Sequence, residues 1–167
     1  FESLDFDLDT VLENLAHLMA VRKAEKENLE VLFRVDPEVP RQLKGDPLRL
    51  GQVLTNVLGN AVKFTPKDGE IYLDITEVPS QDPSFASFVF RVSDTGVGIA
   101  QADQQKIFEP FVQMVTHATA AGTGLGLTIT RQYLHMLNSE LCVESTPGVG
   151  SIFRFSLLLA LAEPSVA

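Results

Sequence analysis

Residues 46–65 read DPLRLGQVLTNVLGNAVKFT and predict a long helix with one wide apolar face. Asp46 offers an oxygen acceptor for the N-cap, and Pro47 has a φ already suited to the first helical turn. The apolar residues recur at helical spacing, and they are Leu50, Val53, Leu54, Val57, Leu58 and Ala61. We therefore expect this helix to pack against the core.

The same helix carries a polar stripe. Asn56, Asn60 and Lys63 fall at i, i+4 and i+7, so they lie along one line of the helix. Two amides and one ammonium on a mostly buried helix need polar partners, because unpaired buried polar groups are costly. An anionic ligand with a hard cation would satisfy all three. From these residues alone, an amphipathic surface helix is an equally good interpretation.

Length, composition and charge limit the classes of protein to consider. A chain of 167 residues with 45% hydrophobic and 21% charged residues is typical of one soluble globular domain. The net charge of −9 argues against a nucleic-acid-binding surface, which would need a basic patch. It does not argue against a nucleotide, because a few local cations and Mg²⁺ can offset phosphate charge.

The cysteine content and the apolar runs give further limits. The single Cys142 excludes an internal disulfide and a multi-thiolate metal site, and its apolar neighbours predict a buried structural thiol in a strand. A reducing compartment fits this usage. The apolar run at 155–162 is too short to span a membrane, and no signal peptide is visible. Because Phe1 is not an initiator methionine, we expect a piece of a longer protein.

The remaining pattern mixes strands and helices without repeated βαβ units. Predicted strands lie at 4–8, 30–35, 71–75, 85–92, 141–144 and 152–158. Predicted helices lie at 10–28, 46–65, 104–108 and 125–137. This order predicts an α/β (α+β) sandwich in which a mixed sheet packs against helices. We expect one domain at 1–160 and a tail or linker at 161–167.

Two glycine-rich segments are candidates for ligand binding. Residues 94–98 read DTGVG at the end of a hydrophobic strand, where a carboxylate can accept hydrogen bonds and glycines let a flat ligand approach the backbone. A simple turn with an aspartate cap is the alternative. Residues 122–126 read GTGLG before a helix, an arrangement suited to phosphate. Neither the dinucleotide-binding spacing nor the P-loop ending is present.

In this order, the three segments resemble the N, G1 and G2 boxes of the catalytic ATP-binding domain of sensor histidine kinases. The segment FEPF at 108–111 resembles the F box between them. The runs FDL at 6–8, AEK at 24–26 and GDPLRL at 45–50 resemble the hybrid, receiver-bearing branch. The resemblance covers nearly the whole chain. It implies the GHKL (Bergerat) fold, a mixed, mostly antiparallel sheet backed by helices, with ATP bound between them.

The resemblance also implies a role for each matching residue. Asn60 would coordinate Mg²⁺, Asn56 would support it one turn earlier, and Lys63 would meet phosphate; these three form the expected catalytic set. Asp94 would accept a hydrogen bond from the exocyclic amine of adenine. The full set of implied nucleotide-binding residues is Asn56, Asn60, Lys63, Asp94, Gly96, Gly98, Ile99, Phe108, Thr123, Gly124, Leu125 and Gly126.

The segment 112–123 resembles the ATP lid of these kinases. Phe108 and Phe111 would anchor its two ends, with a role as plain core aromatics as the alternative. The lid contains no lysine or arginine, and Ala121 stands where a further glycine often precedes the G2 box. Slow or conditional activity is therefore a hypothesis for this chain.

The expected function is transfer of the γ-phosphoryl group of Mg-ATP to a histidine. An asparagine at position 56, where ATP-hydrolysing relatives have glutamate, cannot act as the base that activates water. His17 and His135 are predicted to pack within helices, and His117 lies in the lid. We therefore expect the acceptor histidine on a separate dimerisation domain upstream of Phe1.

The implied partners are those upstream helices, a response-regulator receiver domain and a second copy in a homodimer, with no nucleic acid. The implied location is the cytoplasmic side of a membrane-associated bacterial sensor protein. Two other functions remain open. One is a degenerate regulatory module of the same fold that binds nucleotide weakly or not at all and acts through protein contacts. The other is an anti-sigma-type serine kinase. A hydrolase is disfavoured by Asn56.

Overall fold

A computed structural model describes residues 3–109 and 126–162 of the chain. The helices are α1 (Leu8–Lys23), α2 (Pro47–Phe64) and α3 (Gly126–Met136). The strands are β1 (Leu4–Asp7), β2 (Glu30–Val35), β3 (Gln42–Gly45), β4 (Glu70–Pro79), β5 (Phe85–Asp94), β6 (Cys142–Thr146) and β7 (Gly150–Leu161). Two short 3₁₀ turns follow β5, at Gln101–Asp103 and Lys106–Phe108.

The strands form one seven-stranded sheet in the order β1-β3-β7-β5-β4-β2, with β6 also paired to β7. Among the strands of the described residues, β2 and β4 run parallel and every other pairing is antiparallel. The predicted fold, a mixed and mostly antiparallel sheet packed against helices, is therefore confirmed.

The core lies between the helices and one face of the sheet. Alternate residues of each strand point to opposite faces, so β5 and β7 bury one set of side chains and expose the other. Phe90 and Phe155 stack with ring centroids 5.0 Å apart, and both are almost completely buried. Leu54 and Leu58 of α2 are fully buried in the same cluster. The apolar face predicted for 46–65 thus fixes α2 against the sheet.

Both ends of α2 are capped by side chains. Asp46 accepts a hydrogen bond from the backbone N–H of Arg49 at 3.3 Å, as expected for the N-cap. At the other end, the ammonium of Lys26 donates to the carbonyls of Val62, Lys63 and Thr65, the last two at 3.0 and 2.8 Å. A cation at this end also complements the helix dipole. Partial burial lowers the pKa of Lys26.

Replacing Lys26 with methionine is expected to lower the free energy of unfolding by about 2 kcal/mol, because three carbonyls at the end of α2 lose a charged donor. Urea unfolding followed by circular dichroism measures the change. Lys67→Met, an exposed position just beyond α2, is the matched control and should change stability by less than about 0.5 kcal/mol. Equal stability of the two variants would contradict a capping role for Lys26.

Several predicted boundaries are wrong. Helix α1 begins at Leu8, placed in a strand by the sequence pattern, because Asp7 caps it by accepting from the N–H of Asp9 at 2.8 Å. It ends at Lys23 rather than near residue 28, where Asn28 has a left-handed φ of 56°. Strand β3 was not predicted. Strand β7 reaches Leu161, the first residue of the segment expected to be a tail; the domain boundary itself stays a prediction.

Several predicted side-chain environments are also wrong. Cys142 is exposed, because β6 pairs with β7 alone and Cys142 lies on its outward side. His17 and His135 are exposed on their helices rather than packed, while His117 lies outside the described residues. Within the two described ranges, no helix combines the length and apolar character that crossing a bilayer requires.

Candidate functional site

Helix α2 carries the three polar residues of the predicted stripe. Asn56, Asn60 and Lys63 are each half-buried, whereas their neighbours Val57 and Ala61 are buried. Successive members of the stripe are about one helical turn apart along the helix axis, about 6 Å from Asn56 to Asn60 and about 4.5 Å from Asn60 to Lys63. Of the other candidate residues, Gly96 and Gly126 contact this helix directly.

The segment after β5 is attached to the carboxyl end of α2. The N–H of Val97 donates to the carbonyl of Phe64 at 3.2 Å. Gly96 lies so close to the same carbonyl that a Cβ there would be 2.5 Å from the oxygen. A side chain at position 96 would therefore push the segment away from α2, so glycine is needed for the close approach.

Asp94 ends β5, and one of its two carboxylate oxygens accepts hydrogen bonds from the backbone. Its Oδ1 accepts hydrogen bonds from the N–H groups of Gly96 at 2.8 Å and Ser151 at 3.2 Å. Within the part of the chain that the structure describes, Oδ2 accepts no hydrogen bond. Burial is the main influence on the pKa of Asp94 and raises it above 3.8, and the two backbone donors offset part of that rise.

The raised pKa of Asp94 predicts how stability changes with pH. A carboxyl whose folded-state pKa exceeds its unfolded value favours folding when protonated, and this contribution is lost as pH rises through the folded-state pKa. At neutral pH, Asp94→Asn is therefore expected to raise the free energy of unfolding. The difference from wild type should shrink as pH falls below 3.8, where the carboxyl is protonated in both states. Urea unfolding of both proteins, from neutral pH to below pH 3.8, measures this difference in the free energy of unfolding. A difference that becomes larger as the pH falls would contradict the prediction.

Gly98 holds the segment against the turn between β6 and β7. Its φ is +73°, and a Cβ there would lie 2.1 Å from the carbonyl oxygen of Thr146. The same turn donates the N–H of Gly148 to the carbonyl of Val97 at 2.8 Å. Next along the chain, the N–H of Ile99 donates to the hydroxyl of Ser145 at 2.7 Å. Ile99 packs against the core at this point.

Replacing Gly98 with alanine is expected to lower the free energy of unfolding by about 3 kcal/mol, from the positive φ and from the contact with Thr146 together. Gly148→Ala is the matched control, since Gly148 has a φ of +78° but open space around its Cβ position. Gly148→Ala should lower the free energy of unfolding by about 1 kcal/mol, because the positive φ is unfavourable for alanine and no close contact is added. Urea unfolding measures both, and equal losses would contradict the close contact at Gly98.

Helix α3 is attached to the middle of α2 through Asn56. The amide nitrogen of Asn56 donates to the carbonyl of Gly126 at 3.4 Å and to the hydroxyl of Thr130 at 3.2 Å. Gly126, the last residue of the predicted nucleotide set, is the first residue of α3. Thr123, Gly124 and Leu125 lie outside the described residues, so their predicted roles stay predictions.

Asn60 lies between these two attachments, one turn from Asn56 and one turn from Phe64. Among residues 3–109 and 126–162, the side chains of Asn60 and Lys63 have no hydrogen bond or ion pair. Burial lowers the pKa of Lys63, and its ammonium lies 5.3 Å from the ring centroid of Phe64. A half-buried amide and a half-buried ammonium, both available for binding, suit an anionic ligand with a hard cation.

The side chain of Phe108 lies in the hydrophobic core. It is buried, and its carbonyl accepts a hydrogen bond from the hydroxyl of Thr128 at 2.8 Å. The guanidinium of Arg131 lies 5.0 Å from its ring centroid. These contacts tie the last 3₁₀ turn to α3, which agrees with the alternative interpretation of this residue. Phe111 lies outside the described residues.

Three supporting residues were not predicted from the sequence. Thr130 contacts Asn56, while Ser145 and Ser151 hold the segment from Asp94 to Ile99 through the hydrogen bonds above. The hydrogen bond of Thr130 to the carbonyl of Gly126, at 2.8 Å, could have been predicted from the sequence, because a threonine in a helix often donates to the carbonyl four residues earlier. The contacts of Ser145 and Ser151 could not have been predicted in this way, because they depend on how β6 and β7 pair.

Residues 45–161 match the family described as histidine kinase-, DNA gyrase B-, and HSP90-like ATPase. The chain belongs to this ATPase family. The virulence sensor protein BvgS of Bordetella bronchiseptica is 40% identical over 145 residues, which cover 85% of this chain and 12% of BvgS. Hybrid signal transduction histidine kinase A of Dictyostelium discoideum is 36% identical over 174 residues, which cover 98% of this chain and 8% of that protein. The chain thus spans a small fraction of the length of these relatives.

Among solved structures, full-length ShkA in complex with AMPPNP is similar with a TM-score of 0.78 and 32% identity. The match covers 98% of this chain and 32% of ShkA. The predicted resemblance to the ATP-binding domain of sensor histidine kinases is confirmed by these findings. The chain therefore belongs with the histidine kinase members of this ATPase family.

Proposed function

We propose that this ATPase-family domain binds Mg-ATP and transfers its γ-phosphoryl group to a histidine on a separate dimerisation domain. The observation that carries the proposal is the arrangement of available polar groups around α2. The carboxylate oxygen Oδ2 of Asp94 lies in the segment attached to the end of the helix. The amide of Asn60 and the ammonium of Lys63 lie on the helix itself.

Asp94 supports recognition of adenine. Asp94 is half-buried, and its Oδ2, which accepts no hydrogen bond from the described part of the protein, is an acceptor for an exocyclic amine. Gly96 and Gly98 keep the backbone beside it close to α2 and to the β6–β7 turn, as their Cβ positions show. These contacts fix the carboxylate before a ligand arrives, so little ordering is needed on binding.

Asn60 and Lys63 support binding of phosphate with Mg²⁺. Within the two described ranges, no group of three or more His, Cys, Asp or Glu side chains could hold a metal ion. An amide oxygen is nonetheless a hard ligand that Mg²⁺ accepts, and this ion usually keeps waters and phosphate oxygens as its other ligands. Asn60 fits that role, and Lys63 would meet a phosphate as a point charge. Bound Mg²⁺ would neutralise charge on the transferring phosphoryl group.

Asn56 favours transfer over hydrolysis. Its amide nitrogen donates to α3, and an amide has no basic group that could take a proton from water. Catalysis would then rest on positioning and electrostatic stabilisation of the phosphoryl group, and the base that accepts a proton from the attacking histidine would be supplied by the partner domain.

The wider setting is part of the same proposal. The relatives are several times longer than this chain, and one of them is named a hybrid histidine kinase. The resemblance to these proteins supports a proposed setting with upstream dimerisation helices, a homodimer, a receiver domain and a location on the cytoplasmic side of a membrane-associated sensor.

Calorimetry with Mg-AMPPNP and phosphorylation with labelled ATP test the proposed function. The domain is expected to bind Mg-AMPPNP and to label a separately produced dimerisation domain from a hybrid histidine kinase. The label should be lost in acid and kept in alkali, as a phosphohistidine requires. A label stable in acid would instead support the serine kinase alternative. Binding with no transfer to any dimerisation domain would overturn the kinase part.

A regulatory module is the second candidate, favoured by the absence of lysine and arginine from residues 112–123 of the sequence. The same calorimetry separates the two functions. No heat of binding and no thermal stabilisation by Mg-AMPPNP would support the regulatory module and overturn ATP-dependent transfer.

A further inference from the structure

The first turn of α3 holds the amide of Asn56 in one orientation. The nitrogen Nδ2 donates to the hydroxyl of Thr130 at 3.2 Å and to the carbonyl of Gly126 at 3.4 Å. The hydroxyl of Thr130 itself donates to the carbonyl of Gly126 at 2.8 Å. The amide nitrogen of Asn56, the hydroxyl of Thr130 and the carbonyl of Gly126 are therefore hydrogen-bonded to one another, and each donor has an acceptor.

The opposite orientation of the amide is unfavourable. It would place Oδ1 of Asn56 against the carbonyl oxygen of Gly126, which cannot donate a hydrogen bond. The hydroxyl of Thr130 could donate to Oδ1 only by giving up its hydrogen bond to the carbonyl of Gly126, and the nitrogen of Asn56 would lose both partners. Because the side-chain oxygen accepts nothing from the described residues, the observed orientation leaves Oδ1 as the group available to a ligand.

We propose that Thr130 is a positioning residue for the Mg-nucleotide site, acting through Asn56. This inference rests on the proposed function and deepens it. Thr130 fixes Oδ1 of Asn56 on the ligand side of α2, one helical turn from the side chain of Asn60. It also couples α3 to α2 through a single side chain, although 74 positions separate the two residues in sequence.

Thr130 is suited to this role because it is almost completely buried, with 1% of its surface exposed. Its hydroxyl cannot turn to water, so its accepting lone pair is directed by the local structure. Valine has nearly the same shape and lacks the hydroxyl, while serine keeps the hydroxyl and loses only the methyl group. These two substitutions separate the hydrogen bond from packing.

The first test compares Thr130→Val and Thr130→Ser by calorimetry with AMPPNP, once with Mg²⁺ and once with EDTA. Thr130→Val is expected to weaken binding of Mg-AMPPNP about tenfold and to change binding in EDTA less than about twofold. Thr130→Ser should restore Mg-AMPPNP affinity to within about twofold of wild type. An equal loss with and without Mg²⁺ would indicate a packing role and overturn the proposal, as would no loss.

A double-mutant cycle provides the second test. If Thr130 acts through Asn56, then Thr130→Val should have less than about a twofold effect in an Asn56→Ala background. A further tenfold loss in that background would overturn the proposal, because it would show that Thr130 acts independently of Asn56. Thermal unfolding of all four proteins verifies that each is folded at the temperature of the titrations.

The orientation itself is measured in the free protein by ¹⁵N-edited NMR. The side-chain amide signal of Asn56, assigned by its loss in Asn56→Ala, should shift in Thr130→Val and return in Thr130→Ser. An unchanged signal would show that Asn56 does not donate a hydrogen bond to Thr130 in solution.

If wild type bound no Mg-AMPPNP, the proposed function would fail and the positioning role with it. Binding by wild type with no effect of Thr130→Val would overturn the positioning role alone.

Discussion

Replacing Asp94 with asparagine is expected to lower the affinity for adenine nucleotides about 100-fold and to leave the fold intact. Asparagine can keep its oxygen in the place of Oδ1, where it accepts from the N–H groups of Gly96 and Ser151. Its nitrogen then takes the place of Oδ2. A donor would face the exocyclic amine of adenine where an acceptor is needed, and a buried pair of donors is strongly unfavourable.

Calorimetry with Mg-ATP and Mg-ITP measures this effect. Inosine has a 6-oxo group where adenosine has an amine, so Asp94→Asn should lose affinity for ATP and gain relative affinity for ITP. Glu38→Gln, an exposed carboxylate away from the segment, is the matched control and should bind both nucleotides as wild type does. An unchanged preference for ATP in Asp94→Asn would show that Asp94 does not read the base.

Helix α2 and most of the strands could be predicted because the patterns that indicate them lie within each segment of the sequence. Asp46 and Pro47 mark the start of α2, and its apolar spacing predicts the face that is buried. The alternation in β5 and β7 likewise appears within each strand. By contrast, β3 has four residues and no alternation, so only its pairing with β1 and β7 reveals it as a strand.

The candidate site was predictable in its residues but not in its attachments. The stripe on α2 follows from helical periodicity, and the glycines beside Asp94 follow from the segment DTGVG. The contact between Asn56 and Thr130 depends on how α3 packs against α2, which neither local sequence encodes. The exposure of Cys142 has the same origin, since apolar neighbours in a strand do not reveal whether that strand lies at the edge of the sheet.

The second large effect concerns Asn60. Asn60→Ala is expected to reduce phosphoryl transfer about 100-fold or more, because removal of one preorganised group that acts on developing charge typically costs that much. Nucleotide affinity in EDTA should change little, since the substitution removes the proposed Mg²⁺ ligand and leaves Asp94 and Lys63 in place. Transfer of label from ATP to a dimerisation domain, measured over a range of Mg²⁺ concentrations, gives the size of the loss.

Two further variants separate a role in metal binding from a role in folding. Among the described residues Asn60 makes no hydrogen bond, so Asn60→Ala should unfold at nearly the same urea concentration as wild type. Asn60→Asp retains a hard oxygen ligand and should keep more activity than alanine, with a Mg²⁺ dependence of its own. Asn14→Ala, an exposed asparagine on α1, controls for the loss of a helical amide. If Asn60→Ala retained transfer at low Mg²⁺, the metal would be held elsewhere, and the stripe on α2 would contribute only polar contacts to the phosphates.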